Sequence, residues 1–180
     1  MISSVSGMAH LIVMTFDEFR EKYPARSPKQ CLIKNDDELQ LMPKEKGVHS
    51  FGEHASDMLQ SHIPRDFNDR GNIHLWVIAQ NDVPFALEQV EWGKGLESGV
   101  IKHTNLTGGS DAHCGGELWF IDQESVILGG SSGRYGPQNE QELKDAVNSF
   151  AACNYKVAHM GFDEDTGQPF TVLVGEPQWL

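Results

Sequence analysis

The sequence predicts an α+β fold: a mostly antiparallel sheet, one long amphipathic helix packed on it, and short N-terminal helices. Three observations predict it. From residue 73 onward, runs rich in β-branched and aromatic residues alternate with Asn, Asp and Gly turns. A later segment sets Leu143, Ala146, Val147, Phe150 and Ala151 at helical spacing, which makes one apolar face. Before residue 73, Pro24, Pro28 and Pro64 cut the chain into pieces too short for long elements.

The elements follow in order. Thr15-Phe16-Asp17-Glu18 has the form of a capping box, with Thr15 as N-cap and Glu18 at N3, and Pro24 keeps that helix short. The preceding run Leu11-Ile12-Val13-Met14 has no Lys or Arg ahead of it, so it reads as the approach to this helix and not as a targeting signal. Leu32-Ile33 and Leu39-Gln40-Leu41-Met42 flank Asn35-Asp36-Asp37 as a small hairpin. Residues 50–61 carry Phe51, Ala55, Met58 and Leu59 at roughly helical spacing and read as a helix closed by Pro64. Residues 66–72 form a polar loop.

Strands are predicted over 73–79, 83–90, 101–106, 117–121 and 125–128, the first pair joined at Asn81-Asp82 and the last at Asp122-Gln123-Glu124. The long helix begins at Asn139, which can cap it with Glu142 at N3, and Asn154 suits the left-handed position after its end. Two last strands, 155–162 and 170–174, bracket the turn Asp163-Glu164-Asp165-Thr166-Gly167. At 180 residues this is one domain, with residues 1–72 as a helical N-terminal cap on a sheet-plus-helix core of 73–180.

Composition narrows the function classes. Hydrophobic residues at 39% and charged residues at 22% are the balance of a folded domain. With 26 acidic and 14 basic residues the net charge is −12, which argues against an extended nucleic-acid surface or an anionic-lipid surface. No apolar run approaches the ~20 residues of a membrane span. The three cysteines, Cys31, Cys114 and Cys153, are odd in number and far apart, which points to a reducing, cytoplasmic compartment.

Two glycine-rich loops hold the residues that could carry chemistry. One is Thr107 to Gly116, between the run holding His103 and the strand holding Trp119; the other is Gly129 to Pro137, ahead of the long helix. Neither has P-loop or Rossmann spacing, and tight strand turns are the plainer account of the glycines. The second loop could hold an anion at the helix N-terminus with help from Arg134, or Arg134 could pair with Glu140 or Glu142. Strand alternation would set His103 and Asn105 on one face, Lys102 and Thr104 on the other. A histidine ordinarily titrates near neutrality, so His103 is the candidate general acid or base, with Ser132, Arg134 and Tyr135 as further catalytic candidates, although a structural histidine bonded within the sheet is the plainer reading of a lone His. Lys102, Thr104, Asn105, Ser131 and Gly133 are candidate substrate contacts.

Other constellations are weaker. A Cys114 nucleophile would need a base brought near by folding, His103 or His159, and a small buried thiol is the plainer reading. His49, His54, His62 and His74 have no zinc-ligand spacing, and residues 163–167 lack the remaining ligands of a calcium loop. No metal and no cofactor is expected. Trp76, Trp92 and Trp119 read as core or rim residues, not as a base-stacking platform.

Lys102-His103-Thr104-Asn105-Leu106, Gly108-Gly109, Ala112, Gly116-Glu117 and Ser132-Gly133-Arg134-Tyr135-Gly136-Pro137 together resemble a module of some bacterial polymorphic-toxin-like proteins and plant IQ-motif proteins. Its order there is His-Ser/Thr, Gly-Gly, Ala-Gly-Glu, then Ser-Gly-His-Tyr-x-Pro. The resemblance spans residues 100–155 and carries over His103, Ser132 and Tyr135; Arg134 stands where the module has His, and the chain has no IQ helix.

Three functional readings follow. The first is a metal-independent toxin- or effector-type catalytic domain of ribonuclease form, with His103 as acid or base, Arg134 on the phosphate, and Tyr135 or Ser132 positioning a short RNA or nucleotide. The second is ADP-ribosyl transfer from NAD, with His103 on the ribose, Tyr135 against nicotinamide, and Glu142 or Glu164 facing the developing cation. The third is a non-catalytic, immunity-type module whose acidity suits a basic protein partner.

Overall fold

The structure, a computed structural model, describes residues 13–52 and 58–180. Leu11 and Ile12 of the Leu11–Met14 run, and His54 with its neighbours, fall outside those residues. The fold is α+β. A six-stranded sheet has the order β1 (His49–Ser50), β3 (Pro84–Leu87), β2 (His74–Ile78), β4 (Cys114–Phe120), β5 (Ser125–Gly129), β6 (Lys156–His159). Every pairing is antiparallel except that of β5 with β6. The connections explain the exception. Asp122 to Glu124 is enough to reverse β4 into β5, whereas a parallel neighbour needs a crossover, here made by helix α2 (Glu140–Ala151). A separate hairpin of β7 (Phe162–Asp163) and β8 (Gln168–Pro169) follows.

Strand alternation sorts the core onto two faces. Trp76, Ile78, Phe85, Leu118 and Phe120 point to one side, where α1 (Phe16–Lys22) supplies Phe19 and α2 supplies Leu143, Ala146, Val147 and Phe150. Leu75, Val77 and Ala86 point to the other, beneath Met42, Ile101, Leu106 and Tyr135. Trp119, Ile127 and Ala158 continue that second face toward Met160 and Leu173. Glu117 lies between these last two apolar clusters, paired with Leu75 across the strands. Thr15 caps α1 by accepting from Glu18 N at 3.1 Å, and Asn139 caps α2 by accepting from Glu142 N at 2.9 Å. Asn154 takes φ 66°, the left-handed turn after α2.

Several expectations are corrected. Residues 101–106 do not continue as a strand: His103–Leu106 is a 3-10 turn closed by Lys102 N donating to Asn105 Oδ1 at 2.8 Å. The hairpin expected around Asn35-Asp36-Asp37 is instead a pair of 3-10 turns, Gln30–Leu32 and Asp36–Leu39. Of the helix expected over 50–61, the described ends are extended, with Ser50 paired to Pro84 and Gln60 bridged to Phe120. The final strand over 170–174 is absent, and the hairpin closes earlier, at β7 and β8. Among the described residues no helix is long and apolar enough to cross a membrane.

Candidate functional site

The chemistry-bearing residues gather on the second face of the sheet, where the two glycine-rich loops meet. Gly108 and Gly109 take φ of 65° and 83°, which lets the chain double back after the His103 turn. Tyr135, from the other loop, reaches across: its hydroxyl donates to Ser110 O at 2.7 Å and meets Thr107 Oγ1 at 2.8 Å. The ring is buried at 1% exposure, and that burial raises the phenol's pKa. Tyr135 therefore joins the loops from within and does not face the cleft between them.

That cleft, about 170 Å³, is lined by Lys102 and His103 from one segment and by Ser131, Ser132, Gly133 and Arg134 from the other. These are six of the nine residues picked out by sequence. His103 Nε2–H donates to Gly116 O at 2.8 Å, which fixes the ring and its tautomer, and Nδ1 has no partner among the described residues. Burial drives the imidazole pKa from 6.5 down to about 4, and the charges of Arg134 and Lys102 push the same way. His103 is thus neutral at physiological pH. It can accept a proton but holds none to give beyond the one shared with Gly116.

The other candidates divide by what already holds them. Arg134 grips Glu38 through Nε at 3.0 Å and Nη2 at 2.7 Å and donates to Leu32 O, so it pairs with neither Glu140 nor Glu142. Ser132 Oγ accepts from the backbone N–H of Arg134 and Tyr135 and shapes the loop. Asn105 is buried, and its amide donates to Gln40 O and Asp37 O, stitching the N-terminal segment onto the turn. Thr104 is buried with an unpartnered hydroxyl and lies outside the cleft lining. Lys102 makes no salt bridge among the described residues and is the least committed cation in the cleft.

Four further residues complete the lining, Arg70, Leu75, Glu88 and Glu117, none of them a candidate site residue from sequence. Glu117 is buried on β4, takes Arg70 Nη2 at 2.6 Å, and faces Ser131. Burial raises its pKa against the pull of Arg70, and burial raises that of Glu88 against Lys102 and Arg70. A carboxylate inside an otherwise apolar strand was the available signal for Glu117. Arg70 sits in a polar loop and carried none.

Other sequence candidates fall elsewhere. Cys114 is fully buried, and that burial pushes its thiol up, away from the thiolate. His113 Nδ1–H donates to Tyr23 O at 2.6 Å, so it is not the partner of that thiol. Glu142 is spent on Gln138 N and Arg26, and Glu164 accepts from Glu140 N on the exposed hairpin. Among the described residues no three His, Cys, Asp or Glu side chains are grouped so as to hold a metal ion. Comparison with protein-family models, curated proteins and solved structures returns no match to this chain.

Proposed function

We propose that this chain is a metal-independent catalytic domain of toxin or effector type that works by proton transfer in the 170 Å³ cleft, with a short RNA segment as substrate. The observation that carries the reading is the convergence there of a neutral histidine, an uncommitted lysine and two desolvated carboxyls. The resemblance of residues 100–155 to a toxin-type module supports the same reading.

The chemistry needs only these parts. His103 Nδ1 takes the proton of a ribose 2′-hydroxyl. The oxygen so freed forms a bond to phosphorus as the bond to the 5′-oxygen breaks, and the Glu117 carboxyl returns a proton to that leaving oxygen. The products are a 2′,3′-cyclic phosphate and a 5′-hydroxyl. Lys102 offsets charge on the phosphate between them. The low basicity of His103 limits the base step; burial of Glu117 favours its protonated form for the acid step, against the opposing pull of Arg70. The test is cleavage of RNA by the full chain in the presence of a chelator, beside His103→Ala and Lys102→Ala. Cleavage that persists with chelator and falls in both variants supports the reading; intact RNA at high protein concentration sinks it.

The NAD reading is supported less, because the Tyr135 ring is buried and Glu142 and Glu164 lie outside the cleft lining. The binding-module reading has one observation in its favour, the net charge of −12. It predicts that His103→Ala leaves activity in cells unchanged while reversing surface acids weakens capture of a basic protein.

A further inference from the structure

The 170 Å³ cleft does not stand alone. On one side it shares Arg70 and Glu88 with a second cleft of about 390 Å³ that runs along Gly71, Asn72 and Gln89. On the other it shares Ser131, Ser132 and Gly133 with a third, about 520 Å³, that reaches Lys29, Gln168 and Thr171. The three abut through these shared residues, with the small cleft between the two larger ones.

Charge in these clefts is unlike the charge of the chain as a whole. Lys29, Arg70, Lys102 and Arg134 are four of the chain's 14 basic residues, whereas Glu88 and Glu117 are two of its 26 acidic ones. Glu117 is matched by Arg70, Arg134 is matched by Glu38 beside the groove, and Glu88 feels the charges of Lys102 and Arg70. Lys29 and Lys102 carry no salt bridge among the described residues, and they mark the two parts of the groove that the 131–133 loop joins. A trough whose lining cations outnumber its carboxylates, in a protein otherwise strongly acidic, favours a linear anion over a globular one.

We infer that the three clefts form one groove that binds a single-stranded oligonucleotide, its phosphates passing Lys102 and Lys29 and its flanking units in the two larger clefts. Only the place of the cut rests on the catalytic reading above; the binding does not. The flanks carry amide and hydroxyl side chains such as Asn72, Gln89, Gln168 and Thr171 and, among the described residues, no aromatic platform, so the affinity rests on phosphate charge and is sensitive to salt.

The test uses the full chain, isotope-labelled, titrated with 2′-O-methyl pentauridylate, which cannot be cleaved, and separately with inorganic phosphate. The expected result is that the oligonucleotide shifts the backbone amides of Asn72, Gly133 and Gln168 together, while phosphate shifts only those of the middle cleft. Lys29→Glu, at an exposed side chain, should weaken the oligonucleotide by about tenfold at low salt. Shifts confined to the middle cleft, no shifts, or equal shifts with a polyglutamate peptide of the same charge would each overturn the inference. Shifts in all three clefts with no cleavage of ordinary RNA uphold it and overturn the catalytic reading alone.

Discussion

Arg134 places two nitrogens on one oxygen of Glu38, a residue 96 positions earlier, at 3.0 and 2.7 Å. The pair is largely buried, with side-chain exposures of 13% and 4%. It ties the N-terminal segment to the loop that forms one wall of the cleft, so the site is assembled from parts far apart in sequence.

Removing one partner should therefore cost more than an exposed ion pair would. Glu38→Ala leaves the guanidinium buried with Leu32 O as its remaining acceptor, and the expected loss is about 3–5 kcal/mol. Glu38→Gln keeps an acceptor and should lose less. Urea unfolding midpoints of the two variants, compared with the parent, check the ordering.

Gly116 should tolerate no side chain. A Cβ there would collide with the Gly129 carbonyl oxygen and stand 2.7 Å from Trp76 Cζ2, whose ring is held in place by Nε1–H donating to Glu117 O at 3.0 Å. Gly116→Ala should cost at least about 3 kcal/mol. Gly95→Ala, where a Cβ meets nothing within 4 Å, should be near neutral by the same thermal-unfolding measurement.

Acid should destabilise the fold through two histidines. Burial lowers both His74 and His103 from 6.5 to about 4. Between those values the unfolded chain binds protons that the folded chain refuses. Their contribution is therefore complete above pH 6.5 and declines as the pH falls toward 4, by about 2 kcal/mol for each at pH 5. His74 packs against Phe85 and Phe120 and has an unpartnered Nδ1. His74→Phe should thus flatten the dependence, as read from urea midpoints at pH 7.5 and 5.

Glu117→Gln separates proton transfer from packing. The amide oxygen can still accept from Arg70, so the fold should hold while the acid is lost, and RNA cleavage should fall by about a hundredfold. In the parent, activity should decline as the pH rises through the raised Glu117 value, and the variant should lack that limb. A variant with full activity and an unchanged pH profile removes Glu117 from the mechanism.

Strands β2 and β5, the second half of β4 and helix α2 could be read from sequence because each carries its own period and its own turns, whereas Cys114 to Gly116, expected in the glycine-rich loop, begin β4. Asn139 and Asn154 mark the two ends of α2 for the same local reason. Residues 101–106 could not be read in this way. Ile101, Thr104 and Leu106 favour a strand locally, yet Asn105 is worth more as a buried bridge, accepting from Lys102 N and donating to Gln40 O and Asp37 O. That preference exists only once residues 37–42 lie against it. Likewise Leu32 to Met42 have hairpin-like residues, but the segment is held by the Arg134 loop and by the Asn105 turn.

By itself the sequence determined the α+β class, the main sheet segments, the acidic balance and the short list around His103 and Arg134, because composition and periodicity are local properties. The tertiary structure decided which of those residues share a cleft. It buried Tyr135 between the loops, spent Arg134 on Glu38, and neutralised His103 by desolvation. It also brought Arg70, Glu88 and Glu117 to the same place. Desolvation and long-range pairing depend on what the rest of the chain excludes from water, and no short window of sequence contains that.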